Sequence, residues 1–181
     1  MLKITIPATE MFDDRTNRFI ETKEQTLQLE HSLVSLSKWE SKWCKAFLSP
    51  KDNKTLDETI DYIKCMTITQ NVDPNVYNCL TQSNIDEINA YIGAPMTATT
   101  FYDENKGGGS KETITSELIY YWMISFNIPM ECQKWHLNRL LTLIRVCNIK
   151  NSPPKKFSRR EMASRYAALN AARKSKLNTN G

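Results

Sequence analysis

Apolar residues recur at one spacing before Ser32 and at another after it, and that change confines the fold to a short β element followed by helices. Residues 3–7 alternate, with Ile4 and Ile6 on one face. A polar turn follows at Asp13-Asp14-Arg15, Phe19 and Ile20 resume an apolar run, and Leu27 and Leu29 point together. Period two over short runs bounded by turn residues predicts a β-hairpin or meander over residues 1–31. From Ser32, the residues Leu33, Leu36, Trp39 and Trp43 recur at intervals of three and four, the spacing of a helix face. This helix is predicted to end near Pro50.

Helix-start signals punctuate the rest of residues 32–93. Thr55-Leu56-Asp57-Glu58 is a capping box, with Ile60, Ile63 and Met66 as the apolar face behind it. Asp73-Pro74 places an acceptor at the cap and proline in the first turn of a short helix through Tyr77 to Leu80. A further helix is predicted from Asn84 to Ile92, stopped by Gly93. Residues 94–113 form a loop: threonine-rich at 96–101, where a strand or an extended segment is expected, then flexible around Gly107-Gly108-Gly109-Ser110. Thr115 then caps a helix bearing Leu118, Ile119, Trp122 and Phe126. Asn127-Ile128-Pro129 turns the chain, and a second helix from Met130 to about Cys147 completes a helical hairpin over 114–148. Tyr120 and Tyr121 are neighbours, so the first helix of this hairpin is apolar around much of its circumference; it is deeply buried or meets a partner. The expected fold is mainly α, with an N-terminal β-hairpin or meander, a helical body 1–149 ending in an αα-hairpin, and a basic helical tail 150–181.

That tail carries Lys150, Lys155, Lys156, Arg159, Arg160, Arg165, Arg173, Lys174 and Lys176 against one acid, Glu161. Nine cations less one anion give +8, while the whole chain is +4, so residues 1–149 are near −4. A mildly acidic body with a basic appendage points to an acidic partner: nucleic acid, a membrane surface or a protein face. Ser158 to Glu161 is a capping box, and Ala167, Ala168, Ala171 and Ala172 favour a helix. Met162, Tyr166 and Leu169 form an apolar seam on it, spaced by four and three. The predicted partner-binding residues are therefore Lys155, Lys156, Arg159, Arg160, Met162, Arg165, Tyr166, Leu169, Arg173, Lys174 and Lys176, with the cations surrounding the helix.

The body offers little chemistry. Cys44, Cys65, Cys79, Cys132 and Cys147 are odd in number and widely spaced, which reads as reduced, mostly buried thiols. His136 lies four residues after Cys132, and Cys147 could join them, but no fourth ligand has a suitable spacing for zinc. His136 is instead expected to be partly buried between the two hairpin helices. Asp57, Glu58, Asp61, Asp86 and Glu87 fall at helix starts or on polar faces. No nucleophile elbow, metalloprotease, Walker or dinucleotide motif occurs, so no catalytic residue, metal or cofactor is expected. No apolar run approaches the ~20 residues that span a bilayer, and the N-terminus is too short and alternating for a signal peptide.

Several stretches resemble small proteins of tailed-phage and prophage structural modules. They are Leu29-Glu30-His31-Ser32-Leu33-Val34-Ser35-Leu36-Ser37-Lys38-Trp39-Glu40-Ser41-Lys42-Trp43, then Ile114-Thr115-Ser116-Glu117-Leu118-Ile119-Tyr120-Tyr121-Trp122-Met123 with Trp135-His136-Leu137-Asn138-Arg139-Leu140-Leu141, and the ending Ala168-Leu169-Asn170-Ala171-Ala172-Arg173-Lys174-Ser175-Lys176-Leu177. Within that class the chain is similar to tail assembly chaperones. The resemblance implies a non-enzymatic morphogenesis protein of the host cytoplasm that binds the tape measure protein and recruits tube subunits. The strand-rich opening departs from the mostly helical chaperones. The alternatives it leaves are a virion structural protein of the neck or tail and a nucleic-acid-binding phage protein acting through the basic tail. An oligomer is compatible with either.

Overall fold

The computed structural model describes residues 1–13, 17–49, 53–101, 113–152 and 159–177. The chain is mainly helical, with a small antiparallel strand set at its N-terminus. It divides into two compact units, Met1–Asn148 and Ile149–Gly181.

Strand β1 (Leu2–Ile6) pairs antiparallel with β4 (Gln25–Leu29), and β2 (Thr9–Asp13) pairs with β3 (Arg18–Thr22). Leu2 faces Leu29 and Thr9 faces Thr22, so facing numbers share the same sum in both ladders. The strands are thus one long hairpin, interrupted at Pro7-Ala8 and Lys23-Glu24. Pro7 has no N–H to give to a ladder, which accounts for the break. Alternation sends Ile4, Ile6, Leu27 and Leu29 into the core.

Helix α1 (Leu33–Trp43) starts at Ser32, whose hydroxyl and the Ser35 side chain cap it reciprocally. It ends at Cys44, in the left-handed conformation (φ 53°), well before the expected stop near Pro50. The sequence carries no glycine there to announce the turn. Helix α2 (Leu56–Met66) follows with the predicted box, Thr55 and Glu58 each receiving the other's backbone N–H. Asp73 caps a 3₁₀ turn at Pro74–Cys79. Helix α3 (Gln82–Gly93) begins two residues earlier than expected, because Thr81 and Asn84 form a box of their own. Gly93 lies within its last turn, and Ala94, in extended conformation, ends the helix. Residues 96–101 are irregular rather than a strand. The glycine run expected to be flexible lies outside the described residues.

Helix α4 (Ser116–Ser125) is capped by Thr115 as predicted. Asn127 (φ 52°) closes it: the Asn127 N–H donates to the Ile124 carbonyl and the Ile128 N–H to the Met123 carbonyl, a Schellman arrangement. Met130 does not begin the next long helix. Met130–Lys134 is a 3₁₀ turn, Trp135 is extended, and helix α5 runs over Leu137–Asn151. The break has a tertiary cause. Ser32 and His136 form an antiparallel bridge, and the Leu137 N–H donates to the His31 carbonyl at 2.7 Å. Helix α6 (Arg159–Leu177) makes up most of the second unit.

The first unit holds two apolar clusters that share α1. One joins Ile4, Ile6, Leu27 and Leu29 of the hairpin to Trp39 of α1, Tyr62, Ile63 and Met66 of α2, and Ile88 and Tyr91 of α3. The other joins Leu33 and Leu36 of α1 to Ile119 and Met123 of α4 and to Leu137, Leu140 and Ile144 of α5.

Candidate functional site

Between the two clusters runs a buried polar seam built from chain segments far apart in sequence. The His31 ring sits edge-on to the His136 ring with centroids 5.1 Å apart, and its Nδ1 lies 2.5 Å from the Tyr62 hydroxyl. His136 accepts the Asn138 N–H at Nδ1 (3.3 Å), which leaves Nε2 to donate to the Tyr91 carbonyl at 3.0 Å. That pair of contacts fixes His136 as a neutral tautomer. The Asn138 amide donates to the Ile92 and Ala94 carbonyls and ties the end of α3 to the start of α5. Burial, and then the proximity of His136, lowers His31 to about 4. Burial also lowers His136, although its bond to the Tyr91 carbonyl opposes the shift. His136 is therefore buried against the hairpin, α3 and His31, rather than between two hairpin helices alone. Among the described residues no three His, Cys, Asp or Glu side chains are placed to hold a metal ion. The five cysteines are thiols, but only Cys132 is buried, against the expectation that most would be; Cys44 is exposed at the turn that ends α1.

Three buried acids are likewise turned to structural use. Glu40 on α1 accepts the Phe47 N–H at Oε1 (2.9 Å) and the Ser116 N–H at Oε2 (2.7 Å), so it bends the chain after α1 and holds the first turn of α4. Glu58 accepts from Lys45 at 2.5 Å while its carbonyl accepts the Trp39 indole N–H at 2.8 Å. Lys45, then the Thr55 backbone, hold the Glu58 carboxyl below its usual range. Burial pushes Asp61 up, but its ion pair with Lys42 and the Trp43 indole N–H at 2.9 Å outweigh that and leave it lowered. Glu58 stands at the helix start as expected but is buried and paired there, and Asp61 is buried and paired rather than on a polar face. Asp57 keeps to the exposed first turn of α2.

The predicted partner-binding residues fall in the second unit. Lys155 and Lys156 lie outside the described residues. Arg159, Arg160, Met162, Arg165, Tyr166, Leu169, Arg173, Lys174 and Lys176 are all on α6, and all are exposed. Met162 is 40% exposed, Leu169 49% and Tyr166 61%, values that leave the apolar seam open along its length. The cations do not encircle the helix as expected. At about 100° per residue they cover an arc of roughly 220°, and Ser164, Ala168, Ala171, Ala172 and Ser175, with the one acid Glu161, occupy the remainder. The seam lies within the cationic arc.

Aromatic residues of α4 form a second exposed feature. Its fully buried apolar positions are Ile119 and Met123, whereas Trp122 and Phe126 are half-buried and wall a groove of about 380 Å³ with Ile114, Leu141, Ile144 and Arg145. On the far side of α4, Tyr121 and Ile124 are 63% and 67% exposed. This helix is thus not wrapped all round by the fold.

Sequence reasoning missed the histidine pair and the reach of Glu40. Each contact spans tens of residues, and neither side chain stands in a pattern that names its partner. The one available signal was a lone acid, Glu40, on the apolar side of a helix between Trp39 and Trp43. Comparison with known proteins finds no matching family model, no matching curated protein and no matching solved structure.

Proposed function

We propose that this chain is a non-enzymatic bacteriophage morphogenesis protein, a tail assembly chaperone that binds the tape measure protein through its basic C-terminal helix. The observation that carries the reading is α6: a regular helix whose described side chains are exposed, with an apolar seam set inside its cationic arc. A helix built only for solubility gains nothing from an exposed Tyr166 or Leu169, whereas a docking helix needs them. The non-enzymatic part is supported by the body. His136, Glu40, Glu58 and Asp61 spend their polar atoms on partners within the fold, and His31 meets Tyr62 through Nδ1. The phage assignment draws on the resemblance of the Leu29–Trp43, Ile114–Met123 and Ala168–Leu177 stretches to tailed-phage structural-module proteins.

The long N-terminal hairpin favours a second reading, a virion structural protein of the neck or tail. Mass spectrometry of purified virions separates the two. The chaperone reading expects the protein in infected cells and not in virions. A stoichiometric band in virions would replace it with the structural reading.

A further inference from the structure

We infer that the partner seated on α6 is an acidic amphipathic helix of another protein, with an apolar patch about two turns long bracketed at both ends by carboxylates. This rests on the docking role proposed above and adds the chemistry of the partner.

The distribution of charge along α6 carries the inference. Its cations are Arg159, Arg160 and Arg165 at one end and Arg173, Lys174 and Lys176 at the other, while residues 166–172 carry none. Arg159, Met162, Tyr166, Leu169, Arg173 and Lys176 follow one another at intervals of three and four. That is the spacing by which one helix lies along another, and the stripe is about 26 Å long at 1.5 Å per residue. Its centre is apolar and exposed, and both ends are cationic. Arg159 and Arg160 also sit in the first turn, where the helix dipole disfavours positive charge. Glu161 stands in the same turn and offsets part of that cost within the chain itself.

The same layout argues against the other acidic ligands. Duplex nucleic acid presents charge about every 1.7 Å along its axis, and the uncharged centre of α6 would leave two turns of it without a cation. A membrane surface would have to accept Arg173 on the face that carries Tyr166 and Leu169, in place of the wide apolar face that interfacial helices present. A helix with carboxylates flanking Leu or Ile meets both the centre and the ends.

The test uses the full chain and three fluorescent probes at physiological salt. The first is a peptide of about 21 residues, three heptads long, with Leu and Ile in its central heptad and Glu in the outer two. The second is its isomer with the Glu residues central and the apolar residues outermost, and the third is a duplex of about two helical turns. The bracketed peptide is expected to bind at least about tenfold more tightly than its isomer and than the duplex, and Tyr166→Ala should weaken it about tenfold. The double change Arg173→Glu, Lys176→Glu should abolish its binding, and a peptide with Lys in place of Glu at the facing end should restore it. Equal binding of the two peptides, or a duplex that displaces them, overturns the inference. Its fate is separable from that of the chaperone reading. Capture of the tape measure protein through α6 without peptide discrimination sinks only this inference. Peptide discrimination with no capture of a tail protein sinks only the chaperone.

Discussion

His31 and His136 share a pocket in which neither ring hydrogen-bonds a carboxylate. His31 faces Tyr62 and His136, and His136 faces His31, the Tyr91 carbonyl and the Asn138 amide, with Glu30 as the nearby acid. A proton on His31 would be buried beside His136 with no carboxylate to balance its charge. The sign of the pH dependence follows. The unfolded chain takes up protons below about 6.5, whereas folded His31 stays neutral until about 4, so its contribution is present above 6.5 and is lost as pH falls toward 4. Denaturant unfolding should show a loss of about 2 kcal/mol between pH 6.5 and 5, before the acids of the body protonate. A His31 resonance that titrates near 6.5 in the folded protein would contradict this. The burial of His136 was legible in the sequence, but its pairing with His31 was not, because the two histidines stand far apart and neither lies in a pattern that names the other. Trp39 was legible, because its helical spacing with Leu33 and Leu36 points to a core or an interface, and it is 1% exposed, whereas Trp43, Trp122 and Trp135 are half-buried.

At the scale of elements, local chemistry set starts better than stops. Thr55 and Glu58, Asp73 with Pro74, and Thr115 each open a helix where their side chains predict. Asn127 ends α4 because asparagine tolerates the left-handed conformation. By contrast α1 stops at Cys44, where the Glu40 carboxylate accepts the Phe47 N–H just beyond the turn, and α5 starts only at Leu137, because of the long-range bridge from Ser32 to His136. Glu40 therefore couples three elements, and its loss should exceed that of an ordinary surface acid. Glu40→Ala strands the buried Ser116 N–H and frees the Phe47 N–H, with an expected cost of about 3 kcal/mol in denaturant unfolding, since hydrogen bonds to charged groups contribute about 1.5–3 kcal/mol each. Glu40→Gln keeps one acceptor oxygen and should cost about half as much. A loss below about 0.5 kcal/mol for Glu40→Ala would show that α4 is held by packing alone.

For the whole molecule, the division between an apolar body and a charged tail was readable from composition. Body residues supply both apolar clusters, while 150–181 hold +8. A chain ending at Ser152, which keeps α5 intact, should therefore unfold cooperatively within about 2 °C of the full protein, since its clusters lose no member. Loss of the cooperative transition would place α6 in the core. What the sequence left open was the arrangement of charge around α6. The cations leave to alanine, serine and the single acid Glu161 the side away from the seam, which is apparent only once the helix is laid out with its bounds.

The central claim is that α6 docks on a phage tail protein through its seam as well as its charge. The direct measurement is capture of the tape measure protein from phage-infected cells by the full chain, by Tyr166→Ala and by Arg159→Ala, Arg160→Ala, at low and moderate salt with and without nuclease. A protein partner should survive nuclease and moderate salt and be lost with Tyr166→Ala, because a purely phosphate-driven contact weakens with a log–log salt slope of about −0.9 for each neutralised phosphate. Capture abolished by nuclease and by the double arginine change, and untouched by Tyr166→Ala, would contradict the account and make nucleic acid the partner.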